Sequence, residues 1–458
     1  MENKNNDTGP KRFLAEGSTF ASIGNLIMNI PLKEGFRPSV VSVFIVALML
    51  CFVLQIAITW LFIKGVGIWG VNIPVAWGFA ITNFVWWIGI GHAGTFISAF
   101  LYLLHQEWRA SINRFSETIT LFAVMCAGMF PFLHLGRWWF AYWLVPYPNT
   151  MGLWPQFRSA LVWDIFAVST YFTVSVVFWY TGLIPDLGAA RDRAQNILVK
   201  KFYGILSLGW RGAGVHWQRH KTAYLIMAGL ATPLVVSVHT VVSFDFAITL
   251  VPGWHSTIFP PYFVGGAIFS GFAMVLTLML PIRKLYGLER VITQDHLDLM
   301  SKIMLTTGLI VGYGYLMEAF IGWYSGNFYE WFHTKNQLTG PYGFLFVLLL
   351  LCNVCSIQIL WFKNIRRNAL ILFFLSIVIN IGMWAERFVI VIGSLNRDFM
   401  PSAWHLYFPT VWDWATLIGS LGLFMTGFLI FFRVFPLIAS YEVEDLAAKI
   451  QKGNDHEQ

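Results

Sequence analysis

The chain has 458 residues, of which 57% are hydrophobic and 12% charged, with 42 Phe and 22 Trp. A soluble domain carries about 25% charged residues, so this composition excludes a soluble globular protein and points to a polytopic membrane protein. The formal charge of +7 is read as the cytoplasmic excess of Lys and Arg that membrane proteins carry, and no nucleic-acid partner is expected.

Residues 1–39 are a polar amino-terminal segment, and no apolar core of a signal peptide stands within 1–36. A spanning helix needs about 20 largely apolar residues. Ten stretches qualify: 40–63, 76–104, 117–145, 161–183, 224–248, 261–281, 303–322, 342–362, 369–392 and 412–435. They make an all-α membrane domain over 40–435, followed by a tail, 436–458. The segments 1–39, 105–116, 184–223, 282–302, 363–368 and 433–458 hold 24 of the 30 Lys and Arg. The alternate loops hold only Lys64, Arg158, Lys335 and Arg397. That alternation predicts both termini, and so both flanking segments, on the cytoplasmic side. The loop 184–223 is long enough to hide a short amphipathic surface helix. The loops of the other side, among them "VPYPNTMGLWPQFRSALVW" and "VPGWHSTIFPPYF", are rich in Trp, Tyr and Pro. They suit interfacial anchoring or contact with another protein.

Four cysteines, Cys51, Cys126, Cys352 and Cys355, all fall in apolar stretches. "CNVC" has no following His and is not a c-type haem site. No P-loop, dinucleotide fingerprint or iron–sulfur cysteine motif occurs. His92 and His105 could share a helix, but a bis-His haem would need that pattern on two helices. Neither haem nor metal is expected in this chain.

An ionisable residue at mid-membrane costs about 2.5–3.5 kcal/mol on insertion scales. The apolar stretches nevertheless carry His92, His134, Arg137, Asp164, His239, Asp245, Glu318, Glu386, Arg387 and Asp413. One buried ion pair would account for two or three of these and no more. In "FPFLHLGRWWFAYW", the predicted helix 117–145 runs outward and places Arg137 about 12 Å below its outer end. His134 lies one turn deeper on the same face. Asp164 begins the next, antiparallel helix. These three, flanked by Trp138, Trp139 and Trp163, suit a flat apolar ligand with two titratable oxygens, which is a quinol. The imidazole can accept one hydroxyl proton and the carboxylate the other, with Arg137 orienting Asp164. The remaining groups read either as a proton relay or as an ion-pair network in which Arg387 meets Glu318 or Asp245. Arg137 precedes one "VWD" (162–164) and Arg387 another (411–413), at spacings of 27 and 26 residues from Arg to Asp, an echo that a duplicated unit would leave. With a quinol site and no electron acceptor, the acceptor must belong to a partner.

"YTGLIPDLGAARDRA" (180–194), "HTVVSFDFAITLVPGWHSTIFPPYFVGGAIFSG" (239–271) and "FPFLHLGRWW" together resemble the NrfD/polysulfide reductase family of membrane subunits. The likeness is strongest to the quinol-oxidising ten-helix subunit of bacterial alternative complex III. The resemblance implies two four-helix bundles, helices 2–5 (about 76–248) and 6–9 (about 261–392), with the outer helices flanking. It implies menaquinol bound near the periplasmic face by His134 and Asp164 with Arg137 beside them, and no haem or cluster in the chain itself. It also implies a proton path through His92, His239, Asp245, Glu318, Glu386 and Arg387, to which Asp413 is added here. The partners it implies are a periplasmic ferredoxin-like iron–sulfur subunit, multi-haem and mono-haem cytochromes c, a homologous NrfD-like membrane subunit and a terminal oxidase. The location is the bacterial cytoplasmic (inner) membrane. Two other readings fit the same charges: a paralogue that has lost its quinol site and serves as a structural subunit, and a secondary transporter.

Overall fold

In lipid every backbone N–H and C=O must be satisfied within the chain, so long apolar runs close as helices. The computed structural model describes residues 13–15, 19–145, 152 and 157–457, from 451 onward by backbone alone. Most of the tryptophan-rich loop at 145–163 and the start of the amino-terminal segment therefore lie outside the described residues. In chain order the helices are α1 (Phe20–Leu32), α2 (Pro38–Lys64), α3 (Phe79–Leu103), α4 (Asn113–His134), α5 (Ala160–Arg193), α6 (Ile197–Leu206) and α7 (Gly214–Ala247). They continue with α8 (Phe259–Leu285), α9 (Gln294–Tyr324), α10 (Phe328–Thr339), α11 (Gly343–Trp361), α12 (Ala369–Gly393), α13 (Val411–Val434) and α14 (Ser440–Glu457). Ten of these, α2–α5, α7–α9 and α11–α13, are long and apolar enough to cross a bilayer. No strand occurs among the described residues.

The spans group by contact. α3 packs on α4, and α5 on α7; α8 packs on α9 and α12, and α11 on α12. The two groups meet where α8 lies against α3 and α7, while α2 and α13 pair at the side. Glycines permit the closest approaches, as small residues do between membrane helices. A Cβ on Gly94 of α3 would stand 2.1 Å from the Ser116 carbonyl oxygen of α4, and one on Gly271 of α8 would stand 2.4 Å from the Ala93 Cβ. Since the number of spans is even, both chain ends emerge at one end of the bundle, where α1 touches α14. We call this the terminal end and the opposite one the distal end.

Four boundaries differ clearly from those expected, among them the start of α9, at Gln294 where 303 was expected. The span placed at 117–145 stops at His134. Gly136, at φ +66°, terminates it, with its N–H donating to the Leu133 carbonyl at 2.9 Å, and Trp138–Leu144 follow as a 3₁₀ segment. Arg137 is therefore not inside a span: it stands exposed at the head of that segment. α5 and α7 reach well beyond their expected terminal-end limits, because turns carrying charge outside the apolar core continue helical once hydrogen-bonded. Between them α6 supplies the surface helix expected in 184–223, capped by the Asn196 side chain on the Leu198 N–H. Helices α1, α10 and α14 had no signal among the apolar stretches.

Candidate functional site

At the distal ends of α4, α5 and α7 stand three polar side chains, each with one buried atom that lacks a hydrogen-bond partner. His134 is the last residue of α4, half-buried, and its Nδ1 is buried with no hydrogen-bond partner. Asp164 sits in the first turns of α5 and Asp245 in the last turn of α7, both buried. Their carboxyls face each other closely enough to hydrogen-bond when one carries a proton. With both ionised, neither Oδ1 has a donor. The two acids meet because α5 and α7 pack side by side, whereas sequence alone grouped Asp245 with the relay residues, apart from Asp164. Arg137 does the opposite: the helix stop at His134 turns it out to the surface, off the face that His134 occupies. Trp163 donates its Nε1–H to the Phe157 carbonyl at 2.7 Å and packs edge-on to Phe244. Trp138 and Trp139 are exposed and, with Phe62, Phe132, Ala141 and Tyr142, line an open aromatic groove of about 590 Å³ beside the end of α4.

A second set of polar groups runs through the interior. The rings of His92 (α3) and His239 (α7) lie 4.4 Å apart, centroid to centroid. The two nitrogens of His92 face the carbonyls of Ile88 (2.9 Å) and Val235 (2.7 Å), whereas both nitrogens of His239 are without partners. His239 packs on Phe263 of α8, and the Arg387 guanidinium lies over that same ring, 4.2 Å from its centroid. Arg387 is fully buried and pairs at 2.8 Å with its own neighbour Glu386, not with Glu318 or Asp245 as an ion-pair network between helices would have it. Asp245 faces Asp164 instead, and Glu318 accepts from Gln337 Nε2 at 2.9 Å. Glu386 also accepts a short hydrogen bond from the Tyr315 hydroxyl, which in turn accepts from Asn353 Nδ2 at 2.8 Å. Asn353 lies in a π turn of α11, Leu351–Cys355, opposite Gly382, where any Cβ would come within 2.3 Å of its Oδ1. Such π turns often mark functional positions. The same turn holds Cys352 and Cys355 as free thiols.

At the distal surface α10 lays His333 and Gln337 over this set. Gln337 Nε2 stands 3.1 Å from His333 Nε2, and Glu330 accepts the Gly253 N–H at 2.9 Å. Burial lowers the His333 pKa to about 4, so the ring is neutral at pH 7 and accepts from Gln337 at Nε2. Tyr315, Asn353, Gln337 and His333 were all missed in the sequence. Only their polarity within or beside apolar stretches could have shown them.

Asp413 has a different occupation. As the third residue of α13 it forms a capping box with Thr410 and accepts from the Gly70 N–H (2.9 Å), the Thr410 N–H (2.8 Å) and the Tyr407 hydroxyl (2.7 Å). That is a helix cap with its acceptors filled. The echo between Arg137–Asp164 and Arg387–Asp413 does not extend to geometry: one Arg is exposed and the other buried, one Asp faces a second acid and the other is saturated with donors.

At the terminal end lies a further charged cluster that the sequence did not reveal. Arg114 (α4) lies 3.5 Å from Glu117 and 3.4 Å from Asp186 (α5), and Tyr224 of α7 donates to Glu117 at 3.1 Å. Glu442 of α14 enters the same cluster to pair with Arg109 at 2.7 Å. A cavity of about 560 Å³ opens beside it. No group of three or more His, Cys, Asp or Glu is placed to hold a metal ion among the described residues.

With this geometry in view, comparison with known proteins is specific. The family model described as "Polysulphide reductase, NrfD" matches residues 67–397. A Halobacterium salinarum protein, provisionally named as a membrane subunit of dimethyl sulfoxide reductase, is 25% identical over 335 residues, 72% of this chain and 71% of that one. A subunit of the selenate reductase of Mesobacillus selenatarsenatis is 22% identical over 387 residues, 79% of this chain and 86% of that one.

Proposed function

This chain belongs to the NrfD (polysulphide reductase) family of membrane subunits, and on that premise we propose that it is the quinol-oxidising subunit of a respiratory quinol:acceptor oxidoreductase of the alternative complex III type. The observation that supports this is the set of orphaned atoms at the distal end: His134 Nδ1 and one oxygen each of Asp164 and Asp245. A quinol brings two hydroxyl donors, the complement that such a set of acceptors lacks, and an aromatic groove beside α4 suits its ring and tail. The charge alternation of the loops orients the distal end toward the periplasm.

In this reading menaquinol is the bound substrate. His134 accepts one hydroxyl proton, and Asp164 the other. Asp245 holds the second carboxyl against Asp164, so that a proton arriving on one acid passes to the other across a hydrogen bond. The two electrons leave to an iron–sulfur cluster of a periplasmic partner subunit and continue to c-type haems. His92, His239, Arg387, Glu386, Tyr315 and Glu318 line the route by which protons could move through the interior, with Asp413 left as a cap.

The test is turnover of the purified complex. Asp164→Asn and His134→Ala should each abolish reduction of the haem c partners by a menaquinol analogue while the subunits still co-purify. Wild-type turnover in either variant overturns the site. For the route, Asp245→Asn should change the number of protons moved per electron in liposomes, and an unchanged ratio counts against it.

A further inference from the structure

The surface helix α6 carries an apolar edge that the rest of the chain leaves open. Its one buried residue is Tyr203, whose hydroxyl donates at 2.6 Å to the carbonyl of Val434, the last residue of α13. Away from Tyr203 the helix is uncovered: Leu198 is 71% exposed and Ile205 76%.

α5 measures the depth at which α6 lies. It is a peripheral span, with 28% of its most apolar 18 residues buried, and its apolar run ends at 183. Tyr180, three residues inside that end, donates to the Leu206 carbonyl at 2.6 Å. Arg191, eight residues past it, lies against Gly204, where a Cβ would stand 3.6 Å from the Arg191 Cδ. α6 therefore crosses α5 within about 12 Å of the end of the apolar run, by helical rise. The headgroup layer occupies about 5–8 Å beyond the hydrocarbon on each side, so α6 sits at its level.

The two edges of α6 differ in the sense that a bilayer requires. Leu198, Phe202 and Ile205 are spaced by four and three residues and share one edge. On that edge the Phe202 ring lies 6.4 Å from Phe435, where the apolar run 412–435 ends. Lys200 stands one turn before Gly204, on the edge toward Arg191 and away from the hydrocarbon, with Lys201 beside it. Both lysines are exposed, and neither has an ion pair among the described residues. Other cations at this end do: Arg109 with Glu442, Arg366 with Asp298 and Arg367 with Asp295. From 194 to 223 the chain carries Lys200, Lys201, Arg211, Arg219 and Lys221 and no Asp or Glu. A second copy of this chain would set the same positive charge against α6, and a quinone has no charge for the lysines to meet. An anionic lipid surface answers both edges at once.

We propose that α6 lies in the headgroup layer of the leaflet at the terminal end and binds anionic phospholipid. Leu198, Phe202 and Ile205 enter the acyl boundary, and Lys200 and Lys201 meet the phosphates. This surface is at the opposite end of the bundle from His134 and Asp164 and stands or falls independently of the quinol assignment.

The experiment places a photo-crosslinking amino acid at Ile205, and separately at Val177 on the exposed wall of α5, in the complex reconstituted into nanodiscs of equal parts phosphatidylglycerol and phosphatidylcholine. The expected result at position 205 is a lipid adduct, with phosphatidylglycerol in excess over phosphatidylcholine. A lysine near an anionic surface is worth about fivefold in binding. Lys200→Gln combined with Lys201→Gln should therefore lower the ratio of the two adducts by at least about fivefold, toward the ratio at Val177. Val177 should give the same adducts in both proteins, which shows that the variant inserts. Raising the salt concentration should lower the position-205 ratio in the protein without those substitutions, since screening weakens exposed charges. Adducts of position 205 with a partner subunit, a second copy of this chain or quinone overturn the proposal. So do equal yields of the two lipids, or a ratio indifferent to salt or to loss of the lysines.

Discussion

Each buried polar side chain in this protein is decided by whether it has a partner. Asp413 and Asp164 occupy like positions, near the distal-end start of a span and within "VWD". Asp413 receives two backbone N–H groups and a phenol, whereas Asp164 faces another acid. The first is a cap; the second is a place where a proton or a hydroxyl donor completes the structure. The same accounting gives a test in the interior. Tyr315 donates to Glu386 and accepts from Asn353, so Tyr315→Phe takes a donor from Glu386 and an acceptor from Asn353. Removing one partner of a buried hydrogen bond costs about 1–3 kcal/mol, and we expect a loss of that order, read as a lower thermal midpoint of the reconstituted complex. Tyr262→Phe is the control, since its hydroxyl has no partner to lose. Equal midpoints for the two variants would remove Tyr315 from the network.

Among the elements, the short helix α10 connects the interior set to the distal surface. Its His333 is buried, with a pKa lowered to about 4 by desolvation, against about 6.5 in an unfolded chain. In the opened state the ring binds a proton first, so the unfolded form holds more protons between those values, and stability rises with pH there. The seating of α10 is therefore complete above about pH 6.5 and weakens as pH falls toward about 4, by up to about 3 kcal/mol. Hydrogen exchange of the 328–339 amides should accelerate over that window and lose the dependence in His333→Gln. Glu330, on the same helix, has its pKa raised by burial, against the Gly253 N–H that lowers it, so only the component removed in His333→Gln is assigned to the histidine. α4 shows the other influence at this scale: one left-handed Gly136 ends the helix a full three turns before its apolar run does, and leaves Arg137 exposed beyond the helix end.

For the whole molecule, the loops hold a prediction of orientation. With Lys and Arg gathered at the terminal end, single cysteines placed at Lys200 and Lys335 in a background lacking the native thiols should label from opposite sides of the membrane, Lys200 from the cytoplasm. Labelling of both from one side would break the ten-span topology, and reversed labelling would put the Asp164–Asp245 pair at the wrong face for a periplasmic acceptor. The terminal end is also where the tail returns: Glu442 of α14 closes on Arg109, which ties α14 to the loop before α4.

What the chain determined by sequence alone is what its composition and order dictate locally: ten apolar runs, a surface helix in 184–223, and a set of ionisable residues within or beside the spans. Resemblance through "HTVVSFDFAITLVPGWHSTIFPPYFVGGAIFSG" added the family. Partnership was not legible, because it depends on which helices touch and on single backbone angles. Asp245 reached Asp164, 81 residues away in sequence, only because α7 packs on α5. Arg387 pairs with its own neighbour Glu386, and Glu318 meets Gln337, from a helix with no apolar signature. Arg137 left the site because Gly136 adopts φ +66°, a choice that periodicity does not record. The tertiary structure decides these points because a buried polar group takes its role from the donors and acceptors within about 3 Å of it, and those come from distant parts of the chain.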